Sequence, residues 1–141
     1  MNNINFGRVV LGGLLAGLVL NIGEFVLNTY VLASQMKAFA LKHNFPPEPP
    51  SNAIAVAVVL TFVMGIVLVL GYACIRTRLG PGPKTAILAG LFAWFGVYFY
   101  SGLINSVFAG LSGGLIALFL FWGLVEYALG ALAGAWLYKE P

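Results

Sequence analysis

A chain of 141 residues that is 61% hydrophobic and only 8% charged cannot cover itself with a water-compatible surface; ordinary soluble domains carry roughly 25% charged residues. Seven Lys and Arg against four Glu give a net charge of +3, but no basic run exists to hold nucleic acid, so the lipid bilayer is the expected partner. The single cysteine, Cys74, excludes an intrachain disulfide.

The first predicted helix covers 6–33, longer than the roughly 20 apolar residues that cross a bilayer. Its stretch GGLLAGLVLNIGEFVLN puts Gly13, Gly17, Asn21, Glu24 and Asn28 on one face, because they recur at helical three- and four-residue steps. Leu, Val, Ile and Phe fill the other faces. The narrow face of small and polar groups is expected to turn inward, away from lipid. The run is too long for a signal-peptide core and contains Glu24, so the segment is expected to be retained.

Ser34–His43 either continues that helix or lies at the surface. The run Pro46-Pro47-Glu48-Pro49-Pro50 must be extended, and Ser51 or Asn52 is placed to cap the next helix. The second helix, 53–75, has no charge and is expected at the periphery of the bundle. The turn that follows, RTRLGPGPK, lacks the spacing of a phosphate-binding loop. Arg76, Arg78 and Lys84 instead read as cytoplasmic contacts with anionic lipid headgroups.

The third helix, 85–108, carries Gly90, Trp94, Tyr98, Ser101 and Asn105 at helical spacing. The fourth, 113–138, carries Gly123, Glu126, Gly130 and Gly134 on one face, with Gly130 and Gly134 forming a small-xxx-small pair. Trp136 and Tyr138 fit an aromatic belt at the membrane surface. Helix one also echoes helix three, with Gly13 over Gly90 and Asn28 over Asn105, as a duplicated two-helix unit would. The excess of Arg8, Arg76, Arg78, Lys84 and Lys139 over Lys37 and Lys42 predicts that both termini are cytoplasmic.

Glu24 and Glu126 are the ionisable side chains predicted deep in the bilayer, where a charge costs several kcal/mol and is held by a partner. With helices one and four antiparallel they fall at similar depth, and no Lys or Arg reaches them. They are either protonated glue between helices, with Asn21, Asn28, Tyr98, Ser101 and Asn105 as hydrogen-bond partners, or a proton- or cation-handling pair. A third possibility is a lipid- or quinone-like ligand held against Trp94, Tyr98 and Glu126. His43 is the lone histidine and sits in a loop, so no haem, zinc or other cofactor or metal is predicted, and no catalytic set is present. Cys74 reads as a small apolar filler.

The segments GRVVLGGLLAGLVLNIGEFVLN, GPGPKTA and WGLVEYALGALAGAWLYKE resemble a family of small bacterial four-helix integral membrane proteins. That resemblance implies a bacterial origin and four spans, and no activity comes with it. The expectation is therefore a single all-α domain over 1–141, a four-helix transmembrane bundle of the inner (plasma) membrane. Its leading function is non-enzymatic: association through the Gly13, Gly17, Gly123, Gly130 and Gly134 faces as a homo-oligomer or as an accessory subunit of a larger membrane complex. The rival is a small proton- or cation-coupled transporter or channel that uses Glu24 and Glu126.

Overall fold

The computed structural model describes residues 4–46 and 48–139, which are all-helical with no strand among them. Helix α1 (Phe6–Val26) runs into a π-helical turn at Leu27–Val31 and then a short α2 (Ala33–Lys42). Next come α3 (Ser51–Leu79) and α4 (Pro83–Trp94). A π-helical segment at Phe95–Gly102 leads into α5 (Leu103–Phe108), and α6 (Gly113–Leu137) closes the chain. Four of the resulting helices are long and apolar enough to cross a membrane: Phe6–Val31, Ser51–Leu79, Pro83–Phe108 and Gly113–Leu137. Their outward side chains are large and apolar, for example Leu14, Leu18, Ile22 and Phe25 on the first span. Water tolerates no apolar surface of that extent, and the chain is a membrane protein.

The ends of the spans have local causes. Asn5 caps α1 by accepting from the Arg8 backbone N–H at 3.1 Å, and Ser112 caps α6 by accepting from Leu115 N–H at 3.4 Å. Pro83 opens α4 at a position where its missing N–H costs nothing. The second span starts earlier than the caps suggested. Ser51 and Asn52 already lie inside α3, preceded by an extended Pro50, and no side chain caps that end. Over the expected Ser34–His43 segment, α2 (Ala33–Lys42) is a separate, largely exposed helix beyond the first span, and His43 caps its end. Pro47 lies outside the described residues; of the rest of the run, Pro50 is extended and Glu48 lies in a bend.

Glycine sets the packing of the spans. A Cβ on Gly65 of α3 would strike the backbone of Gly13 and Gly17 on α1, and one on Gly13 would lie 2.5 Å from Ile66 Cα. The two helices thus approach backbone to backbone, as small-residue pairs permit in a membrane. Gly12 faces Gly134 across α1 and α6, Gly130 receives Leu20, and Gly90 of α4 abuts the Tyr127 carbonyl. The main core fills the space between with Val9, Ala16, Leu68, Val69, Ala73 and Ala131. Helix α1 is flanked by α3 and α6, and α4 packs on α6. The four spans alternate in direction, which brings Gly12 level with Gly134 and Tyr72 against Tyr138 at one end of the bundle.

At that end the basic residues divide. Arg76 is partly buried, its guanidinium 5.7 Å from the Tyr72 ring centre and 5.2 Å from that of Tyr138. Arg78 and Lys84 are exposed. Tyr138 is buried rather than part of an aromatic belt, whereas Trp136 is 74% exposed, as a belt requires.

Candidate functional site: a buried carboxyl pair joined by a tyrosine

The register set by the glycines carries the two glutamates to one level. Gly130 meets Leu20, and one turn further along the α1–α6 seam a Cβ on Gly23 would lie 2.8 Å from both Cγ and Cδ of Glu126. Gly23 is the bare patch on α1 that lets the Glu126 side chain lie flat, and Glu24 stands beside it. Glu126 is 95% buried at 5% relative exposure, near the middle of α6.

Tyr98 joins the two carboxyls. Its ring lies flat on Gly123, where any Cβ would enter it, and packs edge-on to Tyr127 at 5.7 Å between centroids. Its hydroxyl donates to Glu24 Oε1 at 2.6 Å, and its oxygen lies 3.4 Å from Glu126 Oε2. A phenol has one proton. With that proton given to Glu24, the contact to Glu126 is a hydrogen bond when Glu126 supplies the hydrogen. The order of donors is then Glu126 O–H to Tyr98 Oη, and Tyr98 O–H to Glu24 Oε1.

The remaining oxygens are unequal. Glu24 Oε2 accepts from Asn28 Nδ2 at 3.0 Å, and the same amide donates to the Glu24 carbonyl at 2.8 Å. Both Glu24 carboxyl oxygens are therefore met by donors, which suits an acceptor. Glu126 Oε1 and the indole N–H of Trp122, one turn earlier on the same helix, are both buried and interact with each other without a well-formed hydrogen bond. Asn21 is used elsewhere: its amide donates to the Gly17 carbonyl at 2.9 Å and to the Val58 carbonyl at 3.4 Å, tying α1 to α3.

Two of the expected partners are outside the site. Ser101 and Asn105 are exposed, and the Asn105 amide donates to the Ser101 carbonyl at 2.8 Å. The cause is the π-helical segment at Phe95–Gly102. Its wider turns break the 3.6-residue phase, so Tyr98 stays inward while Ser101 and Asn105 rotate out. Trp94, before the break, keeps its inward place and donates to the Leu120 carbonyl at 2.9 Å. A second π-helical turn, Leu27–Val31, begins three residues after Glu24. Insertions of this kind are frequent at functional sites.

A cavity of about 280 Å³ opens on the pair. Leu20, Leu60, Thr61, Met64, Val97 and Tyr127 line it together with Glu24 and Glu126. A larger cavity of about 540 Å³ lies at the far end of the bundle, beside Tyr72, Arg76 and Lys139. No carboxyl is among its described lining residues.

No family model, curated protein or solved structure matches the chain. The site's chemistry therefore rests on its own residues. Gly23 is the functional position that the sequence pattern missed, because it precedes Glu24 and lies off the face traced through Gly17 and Asn21. Thr61 and Met64 sat in a helix that looked wholly lipid-facing.

Proposed function

We propose that the chain is a small membrane protein that handles protons at Glu126, Tyr98 and Glu24, as a proton- or cation-coupled transporter or channel. The observation that carries this reading is the single hydroxyl within 2.6 Å of one carboxyl and 3.4 Å of the other. A proton passes in one concerted shift. Glu126 gives its hydrogen to Tyr98 Oη as Tyr98 gives its own to Glu24 Oε1. Tyr98 begins and ends neutral, Glu126 becomes the carboxylate and Glu24 the acid. Acidic side chains buried within membrane helices commonly form such relays.

Association through glycine faces has less support. Gly13, Gly17, Gly123, Gly130 and Gly134 all face other helices of the same chain, so they offer no open surface to a second subunit. A cytoplasmic location for both termini and residence in an inner membrane belong to this proposal on the strength of the Lys and Arg distribution.

The test is proton entry into proteoliposomes under an imposed potential. The expected result is a flux above protein-free vesicles that is lost in Glu24→Gln plus Glu126→Gln. An equal flux in the double variant contradicts the reading.

A further inference from the structure

We infer that the 280 Å³ cavity is a binding site for an organic ammonium ion with an apolar body, which enters sideways from the bilayer. This deepens the proton-handling reading and rests on it.

The mouth is defined by packing. Helix α3 lies along α1, and the Phe95–Gly102 segment lies on α6, without extended contact between those two elements. Leu60 and Val97 line the cavity from its two sides and are also 60% and 41% exposed on the outer surface. At that position along the spans the outer surface faces lipid, so the cavity opens to the bilayer interior.

The lining specifies the occupant. Leu20, Leu60, Met64 and Val97 give apolar walls, and no Lys, Arg or His is among the lining residues. The polar groups are hydrogen-bond acceptors with capacity to spare. Glu126 Oε1 is buried and accepts no well-formed hydrogen bond, with only the poorly aligned Trp122 indole N–H near it. The Thr61 hydroxyl spends its proton on the Ala57 carbonyl at 2.9 Å, which leaves its lone pairs open. The Tyr127 ring adds an aromatic surface of the kind that attracts cations. A bare divalent ion is a poor match, because Ca²⁺ takes about six to eight oxygen ligands and Mg²⁺ about six. An ammonium group satisfies the acceptors with its own N–H donors, and an apolar body fills the rest of the space.

The charge balances through the tyrosine. As the ammonium approaches, the Glu126 proton moves to Tyr98 Oη and the Tyr98 proton moves to Glu24. The ammonium then faces the Glu126 carboxylate, and Glu24 is neutral. No proton is lost, and the buried site carries no net charge.

The experiment uses the full chain in lipid nanodiscs and titrates it calorimetrically with benzylammonium, and with benzyl alcohol as the neutral analogue. The expected result is saturable binding of benzylammonium but not of benzyl alcohol. Glu126→Gln and Leu60→Trp, the latter blocking the mouth, should each weaken binding at least about tenfold, with helicity checked by circular dichroism. Ser101→Ala, outside the site, should bind as the wild type does. Wild-type binding no stronger than in Glu126→Gln overturns the inference, as does full binding by Leu60→Trp. Proton flux of the same protein in proteoliposomes separates the two proposals: flux that needs Glu24 and Glu126 without benzylammonium binding removes the ammonium site alone. Binding without flux removes the proton reading alone.

Discussion

Gly65→Leu is expected to force α1 away from α3 and to lower the folding free energy by roughly 3 kcal/mol. A Cβ at this position meets the Gly13 carbonyl oxygen and the Gly17 backbone, with Gly17 Cα at 2.7 Å. Backbone cannot rotate aside as a side chain does, so the helices themselves must separate. That separation also breaks the Asn21 bond to the Val58 carbonyl and opens the core around Val69. Gly71→Leu is the matched control, since a Cβ there meets nothing within 4 Å. It faces lipid, and the change gains helix propensity. Unfolding in mixed detergent micelles should show a large loss for Gly65→Leu and little for Gly71→Leu. Equal midpoints would mean that the α1–α3 contact is not close.

The second large effect concerns the carboxyl pair. Glu24→Gln and Glu126→Gln are each expected to remove proton flux as completely as both changes together. Residues that act as a unit are strongly non-additive, because the first break already stops the process. Glutamine keeps the shape of the side chain but cannot release or take up the proton as a carboxyl does. The Glu126 variant retains a donor for Tyr98 Oη in its amide N–H, and the Glu24 variant retains an acceptor for Tyr98 or Asn28 in its amide oxygen, so folding should change little. Two independent sites would give additive losses instead.

Much of the architecture was legible in the residues. Four long apolar runs fixed the four spans to within a few residues, because a bilayer core sets their length. Helical spacing grouped Gly13 and Gly17, and Gly123, Gly130 and Gly134, on faces expected to meet other subunits, and those glycines lie against other helices of the same chain. A similar depth for Glu24 and Glu126 also followed, since antiparallel helices with a constant rise bring the two to one level, but whether they meet was left open. The sequence did not show the π-helical segment. No single residue announces a change from a 3.6-residue phase, and Ser101 and Asn105 were therefore read inward when they point out. Nor did it show that Gly23 clears the path for Glu126, because that contact depends on the register of two helices distant in sequence. The side opening beside Leu60 was hidden for a related reason: an apolar helix looks the same whether it faces lipid alone or also walls a cavity.

Tyr98→Phe tests the central claim most directly. It deletes the one oxygen between the carboxyls and keeps the ring on Gly123. Proton entry should be measured in proteoliposomes holding equal amounts of folded wild-type and variant protein. The relay predicts that Tyr98→Phe falls at least about a hundredfold, the scale on which a positioned proton donor contributes. Proton entry at the wild-type rate in Tyr98→Phe would contradict it, because the proton would then pass between the carboxyls without the tyrosine.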